Sequence, residues 1–339
     1  MFITNTSKLI LRHSKIFKYK NIFFSGNIQD TFPSELSTLK TKIHIQKYYN
    51  KLQFDLIKKN KKIDICHNYI ITHHMTRNYN ILIYYWPKDK KEAYFQLMNL
   101  FSSLFTGTEI FIVGENNSGV NSASKMLHQW VKLNILDRAK HCVLSHGILI
   151  KKSIFIIKNF FHTHIYNNIS IKSLPGVFGY KKIDSGSKLL ASTFSNQIKG
   201  SILDIGCGSG FLSVLLHYYS PNIQLTLIDN NKNALISSLS TLKENNIEGK
   251  VLLSDLYSNV SEKFNMIISN PPFHNDLKLN FQITKKIIVY SVKYLRLSGE
   301  LRFVTNICFS YDNLLKKIFK KYTVLKKNKK YKVYQAFLI

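Results

Sequence analysis

A chain of 339 residues with 45% hydrophobic and 20% charged side chains can bury a real core, which excludes wholesale disorder and suggests two domains of ordinary size. The 48 lysines and arginines against 19 aspartates and glutamates leave a formal charge of +29, a surface that attracts polyanions and nucleic acid above all, although only five of the basic residues are arginine and the excess of lysine, isoleucine and asparagine also fits the drift of an AT-rich genome. No apolar run approaches the ~18 residues of a membrane span, the N-terminus has no charged head before an apolar stretch, and Cys66, Cys142, Cys207 and Cys308 form no C-x-x-C pair, so a reduced, cytoplasmic protein without disulfides or structural zinc is expected.

In chain order, residues 21–27 read as a first strand with a single glycine, Gly26. Residues 80–88 form an apolar strand that ends in Trp86-Pro87, followed by a helix over 92–105 and a strand over 107–113. The run Gly114-Glu115-Asn116-Asn117-Ser118-Gly119 follows that later strand rather than a first one, so it reads as loop or RNA-facing surface. Polarity rises at Asn159, His162, Asn167, Asn168 and Ser170, which places a domain boundary there, with 1–165 and 166–339 as the two domains. The second half is sharper. A strand over 201–205 runs into a glycine turn and a helix over 211–219. Next come a strand over 224–228 ending at Asp229, a helix over 232–245 and a strand over 250–253 ending at Ser254-Asp255. A strand over 265–269 ends in Asn270-Pro271-Pro272-Phe273, before a helix over 281–295, a strand over 299–305, a helix over 311–321 and two strand-like runs at 322–326 and 331–338. Strands alternating with helices imply a parallel α/β sheet with helices on both faces, closed here by an antiparallel hairpin. The segment 80–88 parallels 265–272, and 107–113 parallels 298–304, so the chain reads as two copies of one α/β unit, the first having lost its ligand turn. The paired histidines His73–His74 and His162/His164 have no carboxylate or cysteine near them in sequence and suggest no metal site. The lysine clusters at 58–62 and 326–332 are equally readable as RNA-backbone contacts and as solvated surface.

The turn Asp204-Ile205-Gly206-Cys207-Gly208-Ser209-Gly210 ends a strand and opens a helix, and its glycines let the backbone turn sharply and approach a ligand. The spacing is G-x-G-x-G behind an aspartate, not the G-x-G-x-x-G of a dinucleotide site. It resembles the first motif of the class I, Rossmann-like S-adenosylmethionine-dependent methyltransferases. That resemblance implies that Gly206 and Gly208 line the methionine part of the cofactor, with Asp204, Cys207 and Gly210 in the same cofactor-binding turn. Asp229 can accept from both ribose hydroxyls, and Asp255 stands where that class reads the adenine. Asn270-Pro271-Pro272-Phe273 looks like the N/D-P-P-Y/F motif of enzymes that methylate exocyclic or amide nitrogens. An aryl amine is a poor nucleophile because its lone pair is delocalised. Donation of its two N–H groups to the Asn270 side-chain oxygen and the Pro271 carbonyl frees that pair, the prolines keep the corner rigid, and Phe273 offers a face on which a base can stack.

Across the chain, the strings Tyr84-Tyr85-Trp86-Pro87-Lys88, Phe95-Gln96-Leu97-Met98-Asn99-Leu100, Val113-Gly114-Glu115-Asn116, Leu174-Pro175-Gly176-Val177-Phe178 and Ile268-Ser269-Asn270-Pro271-Pro272-Phe273-His274 resemble the ribosomal RNA small subunit methyltransferase C family, from about Leu11 to the C-terminus. The resemblance implies a bacterial 16S rRNA guanine-N2 methyltransferase that prefers assembled small subunits. It also implies two tandem methyltransferase domains from duplication, the N-terminal one degenerate and serving structure or RNA binding, with Gly176 and Phe178 closing over the cofactor of the second. A monomer without metal or membrane is expected. The same N-P-P corner also serves adenine N6 and release-factor glutamine methylation, and a non-catalytic rRNA-binding assembly factor is the rival from another class.

Overall fold

The structure, a computed structural model, describes residues 3–36, 38–45, 63–272 and 277–339. The lysines at 58–62 and Phe273 lie outside the described residues. The chain divides into two units, the first ending at Phe160 and the second beginning at Phe161.

The first unit holds β1 (Asn21–Gly26), β2 (Lys40–His44), β3 (Asp64–Cys66), β4 (Ile81–Tyr85), β5 (Glu109–Glu115), β6 (Asn134–Ala139) and β7 (Cys142–Ile148) in one sheet of order β3-β2-β1-β4-β5-β7-β6. The first five strands are parallel, while β7 and β6 close the edge antiparallel. Its central strands are apolar on both sides, the signature of a sheet covered by helices above and below. Phe23, Leu82, Tyr84, Ile110 and Ile112 pack into one core, and the alternating Ile22, Phe24, Ile83, Tyr85, Phe111 and Val113 pack into another, as the two-residue period of a strand requires.

The second unit opens with a hairpin, β8 (His162–Tyr166) and β9 (Ile169–Ser173), paired along its length; the boundary expected at 165/166 falls inside it. Then follow β10 (Gly200–Ile205), β11 (Ile223–Asp229), β12 (Lys250–Leu253), β13 (Phe264–Ser269), β14 (Leu295–Asn306), β15 (Lys321–Lys327) and β16 (Tyr331–Phe337). Their order, β12-β11-β10-β13-β14-β16-β15, repeats that of the first unit strand for strand, again with an antiparallel closing pair. The two α/β sheets are thus the same Rossmann-like design. The strand expected from residue 299 starts earlier, because Leu295 already pairs with Phe264 before an irregularity that places Ser298 at φ +60°. Among the described residues, no helix is long and apolar enough to cross a membrane.

One packing device bears on the site. The helix Lys232–Glu244 buries Ser237 and Thr241 completely. With Asn245 at the helix end they form a stripe at four-residue spacing, which rises about 6 Å per step. The edge strand β9 advances about 6.6 Å per two residues. The steps match, so the N–H groups of Leu174, Lys172 and Ser170 donate to Ser237 Oγ (3.0 Å), Thr241 Oγ1 (2.9 Å) and Asn245 Oδ1 (3.1 Å) in turn. The buried polar groups satisfy a strand edge and fix the start of the segment that follows it.

Candidate active site

Strand register gathers the motifs of the second unit at one end of its sheet. Ile205 pairs with Ile228 on one side and with Ser269 on the other. Gly206, Asp229 and Asn270 are therefore the next residues at three neighbouring strand tips, and β12 brings Ser254 and Asp255 beside them, with the Ser254 N–H on Asp229 O at 3.0 Å. Carboxyl ends of parallel strands are where open α/β sheets bind ligands.

The glycine turn is built from the backbone. Gly206 and Cys207 both donate to Ile228 O, at 2.8 and 3.0 Å, and Gly210, in the left-handed region at φ +78°, caps the helix Phe211–Tyr219. Gly206 is exposed at φ +72°, and a Cβ there would have no protein atom within 4 Å. Asp229 clamps the turn. Its Oδ2 accepts from Gly208 N–H (3.0 Å) and its Oδ1 from Asn231 N–H (2.8 Å). Asp204 is fully buried, its Oδ2 accepting from Ser213 Oγ at 2.7 Å and its Oδ1 unpartnered. Burial pushes its carboxyl up to about 7, the Ser213 hydroxyl pulls against this, and the neighbouring Asp229 charge adds to it. No part of Asp204 reaches the surface, so it braces the turn from inside the unit rather than lining its outer wall. Cys207 is buried too, and burial raises its thiol well above the usual range; Ser238 Oγ lies 3.3 Å from its sulfur and donates to Gly208 O at 3.0 Å.

The segment after β9 lies against this turn, with Phe178 O and Val177 Cγ1 each 3.9 Å from where a Gly208 Cβ would stand. It is held by two amides that sequence reasoning passed over. Asn231 Nδ2 donates to Gly176 O (3.1 Å) and Asn233 Nδ2 to Pro175 O (2.9 Å). Gly176 takes φ +82°, and Phe178 is 46% exposed. The only signal in the sequence was the asparagine cluster just after Asp229, which reads equally well as a helix cap. Asp255 is half-buried, its N–H on Ser258 Oγ at 3.1 Å.

Asn270 follows the last residue of β13, with Pro271 buried and Pro272 exposed after it. Its Nδ2 donates to Asp184 Oδ2 (3.0 Å) and to Ser187 Oγ (2.6 Å), while its Oδ1 is buried without a partner among the described residues. Asp184 caps the helix Ser185–Ala191 through Ser187 N–H at 2.8 Å. With Phe178, Gly179, Lys182, Ile183 and Ser185 it lines a cavity of about 260 Å³. The contact of Asp184 and Ser187 with Asn270 spans more than 80 residues, beyond the reach of any local sequence pattern. Among the described residues, no group of three His, Cys, Asp or Glu side chains is placed to hold a metal ion.

The first unit has the same frame without these features. Ile81 pairs with Ile22 and Glu109 as Met266 pairs with Ile202 and Glu300, so Tyr85 stands where Asn270 does and Trp86 where Pro271 does. Its indole is buried and donates Nε1–H to Ser118 O at 3.2 Å. Gly26 stands where Gly206 does, likewise left-handed at φ +95°, and Asn27 N–H donates to Tyr85 O at 2.8 Å.

Comparison with known proteins agrees with this geometry. The model of the methyltransferase small domain matches residues 168–335, and that of its N-terminal domain matches residues 7–164. The ribosomal RNA small subunit methyltransferase C of Buchnera aphidicola from Acyrthosiphon pisum is 56% identical over 338 residues, covering 99% of both chains. The protein of the same name from Escherichia coli K12 is 39% identical over 335 residues, covering 99% of this chain and 97% of its own. Among solved structures, a Thermus thermophilus 16S rRNA N2 methyltransferase in complex with AdoMet and guanosine superposes with a TM-score of 0.80 at 17% identity, covering 100% of this chain and 93% of its own; that likeness is one of fold.

Proposed function

The chain belongs to the ribosomal RNA small subunit methyltransferase C family, and from that premise we propose that it transfers a methyl group from S-adenosylmethionine to N2 of one guanine in the 16S rRNA of the small ribosomal subunit. The observation that carries this reading is the Asn270 oxygen, a buried acceptor without a partner among the described residues, one residue past a strand tip and beside the glycine turn. An unpartnered buried acceptor costs about 1–3 kcal/mol, which an incoming N–H donor returns.

The residues fit the cofactor. The space over Gly206 is open to a ligand, where a Cβ would intrude, and Asp229 stands at the neighbouring strand tip. Gly206, Cys207, Gly208 and Gly210 would hold the methionine portion, Asp229 the ribose and Asp255 the adenine, with Gly176 and Phe178 covering them. The cofactor supplies, when bound, a methyl carbon activated by a positively charged sulfur. The protein's part is positional. Asn270 Oδ1 and the Pro271 carbonyl oxygen accept the two N–H bonds of the guanine amine, turn its lone pair out of conjugation and aim it at that carbon. The same two acceptors hand the proton released on transfer toward solvent. Pro271 and Pro272 keep the corner rigid, and Phe273 stacks on the base. The first unit, with Tyr85 in place of the asparagine, serves structure or RNA holding, and the lysine-rich turn at 326–332 offers the second unit a contact for phosphates, so RNA binding weakens steeply with salt.

The test is methyl transfer from labelled cofactor to small subunits that lack the modification, with adenine-containing DNA and a release factor assayed in parallel. Asn270→Ala should lower kcat by about 100-fold or more while cofactor affinity stays within a factor of about two. A wild-type rate in that variant removes the mechanism, and transfer to one of the other two substrates alone removes the assignment to guanine.

A further inference from the structure

We propose that Asp184 and Ser187 are positioning residues that select which end of the Asn270 amide faces the substrate; this rests on the reading of Asn270 as the acceptor for the target amine. A carboxamide has two ends of nearly equal size, one accepting and one donating. Turned the wrong way, Asn270 would set its own NH₂ against the NH₂ of the base, donor against donor, and the corner would repel what it is meant to hold. Nothing in the Asn-Pro-Pro string chooses between the two orientations; the contacts of the far end do.

Those contacts are unambiguous in chemistry. A carboxylate oxygen of Asp184, 3.0 Å from the amide, only accepts when ionised, so the group facing it is the NH₂. The Ser187 hydroxyl, 2.6 Å away, takes the second hydrogen. Both donors of Asn270 are thereby used, and among the described residues its oxygen has no partner. The support is itself fixed. The same Asp184 oxygen that receives the amide also accepts Ser187 N–H at 2.8 Å, so cap, first helical turn and amide form one network. Farther along, Arg302 of β14, 5% exposed, donates to Thr193 O at 2.7 Å and ties the segment after the helix to the sheet strand next to β13. Asp184 is also on the wall of the cavity described above.

Two substitutions separate this role from capping. Serine and asparagine both cap helices about as well as aspartate, so the helix keeps its cap in either variant. Serine is too short to reach the Asn270 amide, whereas asparagine can put an oxygen where Asp184 Oδ2 is. Asp184→Ser is expected to lower kcat on unmodified small subunits about 100-fold, with KM for the subunit, the dissociation constant for S-adenosylmethionine and the melting temperature unchanged. Asp184→Asn is expected to restore most of the rate. Ser187→Ala, which keeps the backbone cap, should fall between the two. The inference is overturned if Asp184→Ser turns over at the wild-type rate, if Asp184→Asn is as impaired as Asp184→Ser, or if Asp184→Ser loses cofactor binding. Asn270→Ala measured alongside keeps the two readings apart. Full activity there sinks the acceptor role itself, whereas an inactive Asn270→Ala beside an active Asp184→Ser sinks only the positioning role.

Discussion

Replacing Gly206 by alanine separates what the glycine turn does for the fold from what it does for a ligand. At φ +72° an L-residue pays about 1–2 kcal/mol for the left-handed conformation. No steric cost adds to this, because the new methyl would have no protein atom within 4 Å. For a unit of this size each kcal/mol lowers the melting temperature by about 2–4 °C, so a loss of roughly 2–8 °C is expected. The methyl stands in the space assigned to the cofactor, where a group crowding a fitted site costs about 1–3 kcal/mol, or roughly a five- to 150-fold weaker dissociation constant. Gly210→Ala is the control. Its φ of +78° carries the same conformational cost, but its Cβ would press on Ser238 Cα and Oγ at 3.3 Å, so it should lose more stability. Calorimetric titration with S-adenosylmethionine and thermal unfolding of the same samples read both quantities. Wild-type affinity in Gly206→Ala would refute the placement of the cofactor over that glycine.

Thr241→Val keeps the shape of a fully buried side chain but strips the partner from Lys172 N–H; about 1–3 kcal/mol should be lost, with faster hydrogen exchange at residues 170–178, and unchanged exchange there would contradict the strand-edge account. Glu300→Ala leaves the buried Arg302 guanidinium without its carboxylate and should cost about 3–5 kcal/mol in thermal unfolding, Glu300→Gln less. Asp204 is raised in the folded state to about 7 from an ordinary ~3.9, so folding favours its protonated form. Its contribution is full below ~3.9 and declines as pH rises to about 7, a fall in unfolding free energy on the order of 4 kcal/mol. Asp204→Asn should therefore flatten the dependence between pH 4 and 8 in urea unfolding and gain most on the wild type at the alkaline end; an unchanged slope would contradict the assignment.

The strands and helices of the second unit lie close to where the apolar periodicity put them, the helix Phe211–Tyr219 and β12 to the residue. The repeat of one α/β unit was visible from two strand–proline segments and appears as one strand order in both sheets. Less legible were contacts that depend on what a side chain does with its second hydrogen bond. Asp229 was read as a ribose acceptor from its place at a strand end; that it also clamps Gly208 and Asn231 follows only from the path of the turn. Ser237, Thr241 and Asn245 belong to no motif, yet they are the face that meets β9.

Period, turn chemistry and strand-end motifs are local properties, carried by residues within a few positions of one another, and so the sequence by itself determined the two-unit α/β design, the glycine turn and the asparagine–proline corner. Register between strands and contacts across a sheet are long-range, set by how whole faces pack. Only the tertiary structure could therefore decide that Gly206, Asp229 and Asn270 are the next residues at three adjacent strand tips, that the buried Tyr85 fills the matching corner of the first unit, and that Asp184 turns the Asn270 amide so that its oxygen faces away from the support.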